Sequence, residues 1–221
     1  MRPIYWFLNF LKDSANWSQE GGGPHDFRHR VFEDEDELTW TNHLTRERLK
    51  FLLKPKMRVL EFGSGQSTHF FLSRGALLDS IEDDLDWYKT MKEELGDLEE
   101  LSIQWIASEF EKEEVDPAYS CQHGLPSKGR SWKSYATGAE AFPDAHFDLI
   151  LIAGRARMAC MKHSIPKLKE GGILVIDHAD RIDYHEDLNT FLRNWRFESF
   201  QGERFGSPEL VEARIYFKPR A

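Results

Sequence analysis

Basic residues are in short supply in this 221-residue chain: 29 lysines and arginines stand against 38 acids, a formal charge of −9. A surface that tracks nucleic-acid phosphates needs the opposite balance, which argues against nucleic acid as a partner. Cysteine is scarcer still, with only Cys121 and Cys160. Two thiols with neither CxxC nor zinc spacing exclude a disulfide framework and suit a reducing, cytoplasmic compartment. No apolar run approaches the roughly 20 residues that a membrane span requires, so no integral membrane association is expected. The short run in MRPIYWFLNFLKDS is broken by Asn9 and followed by no small-residue cleavage site. That favours an amphipathic helix docked on the domain or on a partner over a signal peptide.

The 40% hydrophobic content is enough for one sizeable core, and the length fits one domain. Residues 14–37 combine Gly-Gly-Gly-Pro with an acidic run and read as an exposed flap. The expected organisation is an N-terminal helix and flexible flap over 1–39, then a domain over 40–221 that starts near Trp40. A helix over Thr45–Leu53 stops before Pro55. Short apolar runs then alternate with helix-period stretches: strands at Arg58–Phe62, Leu78–Glu82, Leu101–Ile106, Phe147–Ala153 and Ile173–Asp177, helices at Ser67–Arg74, Leu85–Leu95 and Ala156–Leu168. Continuous apolar strands between helices predict a doubly wound α/β fold, with a mostly parallel sheet covered on both faces. After a helix at Glu186–Trp195, runs at Phe197–Phe200 and Glu212–Phe217 flank the turn GERFGSPE. So short a connection predicts an antiparallel hairpin at the C-terminal edge.

The stretch RVLEFGSGQST raises the functional question. Gly63 and Gly65 strip the first strand-to-helix turn of side chains, at the place where doubly wound sheets bind ligands. The helix after it points free N–H groups outward. The pair alone also fits a purely structural turn. About twenty residues on, LLDSIEDD ends the second strand in Glu82 and Asp83, where an acid accepts both hydroxyls of a ribose and repels a 2′-phosphate. The same acids, Asp84 above all, would also suit a helix N-terminus. A dinucleotide fingerprint wants a third glycine where this chain has Thr68, which counts against NAD. Glu61 inside the turn is badly placed against a pyrophosphate and well placed against an amino group. A ligand with ribose hydroxyls, an ammonium and no phosphate is S-adenosylmethionine.

At VLEFGSGQST, SIEDDLDWY, FDLILIAGRAR and LKEGGILVIDHADR, in this order from Arg58 to Arg181, the chain resembles the Rossmann-like, class I S-adenosylmethionine-dependent methyltransferases. The resemblance implies a seven-stranded-type sheet, with Glu61, Gly63 and Gly65 at the methionine end of the cofactor and Glu82 at the ribose. Ser64, Thr68, Asp83 and Tyr135 complete the expected cofactor set. Lys169-Glu170-Gly171-Gly172 matches a structural turn. The chain departs from many relatives at Ala153, where they carry an Asp that joins further acids to hold a divalent ion. With only Asp177 and His178 left there, no metal is expected. Methyl transfer survives that loss, because positioning supplies roughly 7 to 11 kcal/mol against the 10²- to 10⁴-fold, about 3 to 5 kcal/mol, of a general base. If a base is used, His178 with Asp177 beside it is the candidate.

The insertion at about 108–146 is far longer than an ordinary loop and carries Tyr119, Trp132 and Tyr135, which suggests a lid with Tyr135 near adenine or substrate. Arg155 and Arg157 could take an anionic substrate group or pair with surface acids. The expected function is metal-independent methyl transfer to an O or N atom of a small molecule, with a homo-oligomer left open. Two other readings stand beside it: a degenerate scaffold, for which Ala153 is the evidence, and an NAD-dependent oxidoreductase. Under the first, Glu82→Ala weakens cofactor binding by about 1.5 to 3 kcal/mol and leaves the fold intact.

Overall fold

The computed structural model describes residues 40–111, 115–121, 129–203 and 210–220, all within one compact unit, Asp36–Ala221. The N-terminal helix and flap expected over 1–39, and most of the GERFGSPE turn, lie outside the described residues.

Helix α1 (His43–Leu52) opens on Asn42, whose side chain accepts the Thr45 N–H at 3.0 Å and so satisfies one orphan donor of the first turn. The Asn42 amide also donates to the Phe200 carbonyl at 2.9 Å and pins the helix start to the sheet edge. Strand β1 (Arg58–Phe62) leads through the glycine turn into α2 (Gln66–Ser73), then β2 (Leu77–Glu82), α3 (Leu85–Leu95) and β3 (Leu101–Trp105). Asp84 caps α3 by accepting from Asp86 and Trp87, the helix-terminus role foreseen for it. A two-residue hairpin, β4 (Glu109–Phe110) with β5 (Arg130–Ser131), is followed by the short helix α4 (Lys133–Thr137). The chain then forms β6 (Phe147–Ile152), α5 (Arg157–Ser164), β7 (Leu168–Asp177), α6 (His185–Leu192), β8 (Arg196–Glu203) and β9 (Leu210–Phe217).

The main sheet has the order β3-β2-β1-β6-β7-β9-β8, parallel up to β7 and antiparallel through β9 and β8. Alternate residues of the central strands face opposite sides. Leu60, Phe62, Ile150, Ile152, Leu174 and Ile176 belong to one buried cluster, and Val59, Leu149, Leu151, Ile173, Val175 and Ile215 to the other. Burial on both faces is why these strands read as unbroken apolar runs. The expected hairpin is present, although β8, the earlier strand, takes the edge and β9 pairs with β7.

Two elements differ from expectation. The helix predicted to reach Leu168 ends at Ser164, and Ile165–Lys167 tighten into a 3-10 turn, because Pro166 has no N–H to continue the ladder. Strand β7 begins at Leu168, before the Gly171-Gly172 turn, with an irregular register against Phe147 and Leu149. The insertion is also more than a lid. Trp132, Tyr135, Ala136 and Ala139 are buried in the main cluster, so this stretch helps build the core.

Candidate functional site

The order in which strands are added reverses between β1 and β6, which run parallel: β2 and β3 lie to one side of β1, β6 and β7 to the other. Ligands of doubly wound folds sit at the carboxyl ends of the strands at such a switch. Glu61 lies on β1 just beneath it, with no solvent exposure. Its carboxylate accepts the Ser67 hydroxyl at 2.7 Å and the Thr68 hydroxyl, and Thr68 Oγ1 in turn accepts the Gly65 N–H at 2.9 Å. Thr68 therefore ties the acid to the turn from the position where a dinucleotide fingerprint has its third glycine. Burial pushes the Glu61 pKa up to about 7, against the pull of the Thr68 and Ser67 hydroxyls.

The second acid is equally occupied. Glu82 Oε2 accepts both the N–H and the hydroxyl of Ser64 at 2.7 Å, while Oε1 accepts the Asp83 and Asp84 amides at 2.9 Å. Burial raises the pKa of Glu82 and also that of Asp83. Three indoles converge on the same turns. Trp87 donates to the Ser64 carbonyl at 2.7 Å, Trp105 to the Asp83 carbonyl at 3.3 Å, and Trp132 to the Asp83 carboxylate at 2.7 Å. The sequence reading named only Trp132. Trp87 was legible as the first-turn residue of α3 beneath the glycines, and Trp105 as the last residue of β3, in register with Glu82.

This bonding revises the expectation for Glu82. Because its carboxylate organises four partly buried donors of two turns, Glu82→Ala leaves them without that acceptor, and about 1 to 3 kcal/mol of stability should be lost. Chemical denaturation of Glu82→Ala and Glu82→Gln checks this; an unchanged midpoint for the alanine variant would remove Glu82 from the turn scaffold.

At the end of β6 the backbone packs without clearance. A Cβ on Gly63 would stand 2.9 Å from the Gly154 Cα, and one on Gly154 would stand 2.1 Å from the Tyr135 hydroxyl. Tyr135 is fully buried, its ring edge-on to Phe62 at 5.5 Å. Its hydroxyl faces the Arg155 amide without a well-formed hydrogen bond, and burial holds its pKa well above the usual phenol value. The structure thus brings Tyr135 to the switch point from the core side.

Arg157 is not free to take a substrate anion. Its guanidinium donates to the carbonyls of Ala153 at 2.8 Å, Gly154 at 3.1 Å and Asp177 at 2.7 Å, and stands 3.6 Å from the Asp177 carboxylate. Arg155 lies close enough to Asp83 for its charge to favour the carboxylate. Beside Arg157 a cleft of about 120 Å³ opens between the 117–121 segment and the starts of α5 and α6, with Cys121, Met158, Asp183 and Tyr184 in its walls. At the end of β7, His178 Nδ1 lies 2.7 Å from Asp177 Oδ2. Ala156 and His178, which follow β6 and β7, both adopt positive φ, at 42° and 53°. Such strain in non-glycine residues persists only where the surroundings over-determine it, often at functional sites. Among the described residues no three His, Cys, Asp or Glu side chains converge as a metal-holding group, and no helix is long and apolar enough to cross a membrane.

The groups present fit a nucleoside with free hydroxyls and a cationic tail: a bare glycine turn, two buried acids, a third acid at the rim and an indole cluster, with the guanidinium of Arg157 already committed to the protein. No family model matches the chain, and no curated protein does. Solved structures do. A methyltransferase-like protein from Silicibacter pomeroyi superposes with a TM-score of 0.53 at 19% identity, over 82% of this chain and 89% of that one. A protein from Staphylococcus aureus described as a caffeoyl-CoA O-methyltransferase gives 0.55 at 16%, over 96% and 99%. The 1,6-didemethyltoxoflavin-N1-methyltransferase of Burkholderia thailandensis, solved with 1,6-didemethyltoxoflavin and S-adenosylhomocysteine, gives 0.52 at 15%, over 100% and 92%. Identities of this size carry the fold alone, and with the strand order described above they establish that this chain has the fold of the class I S-adenosylmethionine-dependent methyltransferases.

Proposed function

We propose that the protein is an S-adenosylmethionine-dependent methyltransferase acting on an O or N atom of a small molecule, without a metal. The observation that carries this reading is the convergence at the switch point: Glu61, Gly63 and Gly65 from the β1 turn meet Glu82 and Asp83 from β2, under three indoles. Gly63, Ser64 and Gly65 would cradle the amino-acid end of the cofactor, with Glu61 and Thr68 fixing the turn beneath them. Glu82 would take a ribose hydroxyl in place of the Ser64 hydroxyl that it accepts in this structure, with Asp83 beside it, and Tyr135 would back the site from the core. Bound there, the cofactor supplies an electrophilic methyl group. The chain then has to orient the acceptor, exclude water and accept a proton, the last at His178 Nε2 with Asp177 on the opposite ring nitrogen. The B. thailandensis and S. aureus neighbours methylate, by their descriptions, nitrogen and oxygen respectively, consistent with either atom here.

Titration calorimetry with S-adenosylmethionine and, separately, NAD tests the reading. The expected result is a dissociation constant near 1 μM for the former, about −8 kcal/mol, and no heat from NAD. Quenching of tryptophan emission should accompany binding, because Trp87, Trp105 and Trp132 ring the turns. Binding without any turnover across a labelled-methyl acceptor screen would favour the second reading, a scaffold, for which Ala153 in place of the usual acid is the specific observation. NAD binding alone would overturn both.

A further inference from the structure

Among the described residues, three groups hold Asp177. Its Oδ2 faces His178 Nδ1 at 2.7 Å, its Oδ1 accepts the Thr41 hydroxyl at 3.2 Å, and the Arg157 guanidinium stands 3.6 Å from Oδ2 while donating to the Asp177 carbonyl. The Asp177 side chain is 3% exposed, Arg157 8% and Thr41 2%, while the His178 side chain is 13% exposed. A neutral imidazole next to an ionised carboxylate places its proton on the nitrogen that faces it, which leaves the lone pair on the other. The geometry therefore selects the Nδ1–H tautomer and presents Nε2 as an acceptor. His178 adopts a left-handed backbone conformation, φ 53°, directly after the end of β7.

Resting on the methyltransferase reading above, we infer that Thr41 and Arg157 are positioning residues that make His178 a proton acceptor, so that the acceptor substrate sheds an O–H or N–H proton as it is methylated. Thr41 precedes the Asn42 cap of α1, far from the site in sequence, and no motif marks it. Arg157 ties the carbonyl ends of β6 and β7 together and sets its guanidinium 3.6 Å from the Asp177 carboxylate, a compensating charge for a buried acid. The proton step balances simply: the acceptor O–H or N–H bond breaks, the electron pair stays on the acceptor atom, and the proton forms an N–H bond at Nε2. The imidazolium so formed keeps its Nδ1–H bond to Asp177. Triads of this kind lose most of their effect when the ring takes the wrong tautomer.

The test reads the ring directly. Two-dimensional ¹⁵N spectra of the imidazole nitrogens, with the His178 signals identified by their loss in His178→Gln, should show a neutral ring protonated at Nδ1. Thr41→Val, nearly isosteric, should shift it toward a tautomer mixture, and Thr41→Ser should restore the wild-type pattern. Once an acceptor is known, kcat should fall about tenfold in Thr41→Val with KM unchanged. A wild-type ring protonated at Nε2 would overturn the proposal whether or not any variant folds, and an unaltered tautomer in a folded Thr41→Val would remove Thr41 from it. Because the spectra need no cofactor, a correct tautomer with no methyl transfer to any acceptor would defeat the enzymatic reading and leave the relay standing.

Discussion

Gly63→Val should unfold a substantial part of the population and so do far more than block a ligand. Gly63 has φ +89°, a conformation that costs an L-residue about 1 to 2 kcal/mol and a β-branched one more. Its new Cβ would also press within 2.9 Å of the Gly154 Cα and 3.1 Å of its nitrogen, backbone atoms that cannot rotate aside. Overpacking of that type adds about 1 to 3 kcal/mol. The total, about 2 to 5 kcal/mol, is a large share of a domain's usual 5 to 15. Gly96→Ala is the control: φ is +59° there, and an added Cβ meets nothing within 4 Å, so only the dihedral cost remains. Urea unfolding of both variants separates the two contributions. Equal midpoint shifts would mean that the Gly63–Gly154 contact is not tight.

Glu61 should make the folded state lose stability as pH rises through neutrality. Its folded pKa of about 7 lies above the ordinary 4.5, so between those values the folded protein binds a proton that the unfolded chain has released. The stabilisation is then fully present below about pH 4.5 and is lost as pH rises through about 7. At 1.36 kcal/mol per unit the span corresponds to about 3 kcal/mol. Glu82 and Asp83 are raised by burial as well and act with the same sign, so the measurement has to be a difference. Glu61→Gln, which keeps an acceptor for the Ser67 and Thr68 hydroxyls, should unfold with a visibly flatter pH dependence than the wild type from pH 5 to 8. Parallel curves would show that Glu61 does not titrate in this range. A cation bound above the turn should draw the proton off, so cofactor affinity should rise with pH across the same interval.

Much of the architecture was legible along the chain because its signals are local. Apolar runs such as LILI of β6 announce strands covered on both faces, Asp84 announces a helix start, and the short distance from β8 to β9 forces a hairpin. The glycine turn and the acids after it carried the candidate cofactor site by spacing alone. Helix ends were less legible: Pro166 and the Gly171-Gly172 irregularity moved the boundary between α5 and β7, where local preference and sheet register compete.

What these residues bond to lay beyond the sequence. Length and spacing allow Trp132 and Tyr135 to be placed in a lid, yet they are core residues, with the Tyr135 ring packed edge-on to Phe62. Arg157 lines a cleft by position and is bound to three carbonyls by geometry. Thr41 meets Asp177 across 136 residues of chain. The sequence by itself determined the order of elements, the doubly wound class and the glycine turn after β1, since each depends on residues within a helix turn or a strand of one another. Only the tertiary structure decided which buried acid is held by which donor, and which nitrogen of His178 faces a carboxylate, because those bonds join strand ends and helix starts whose proximity no local pattern encodes.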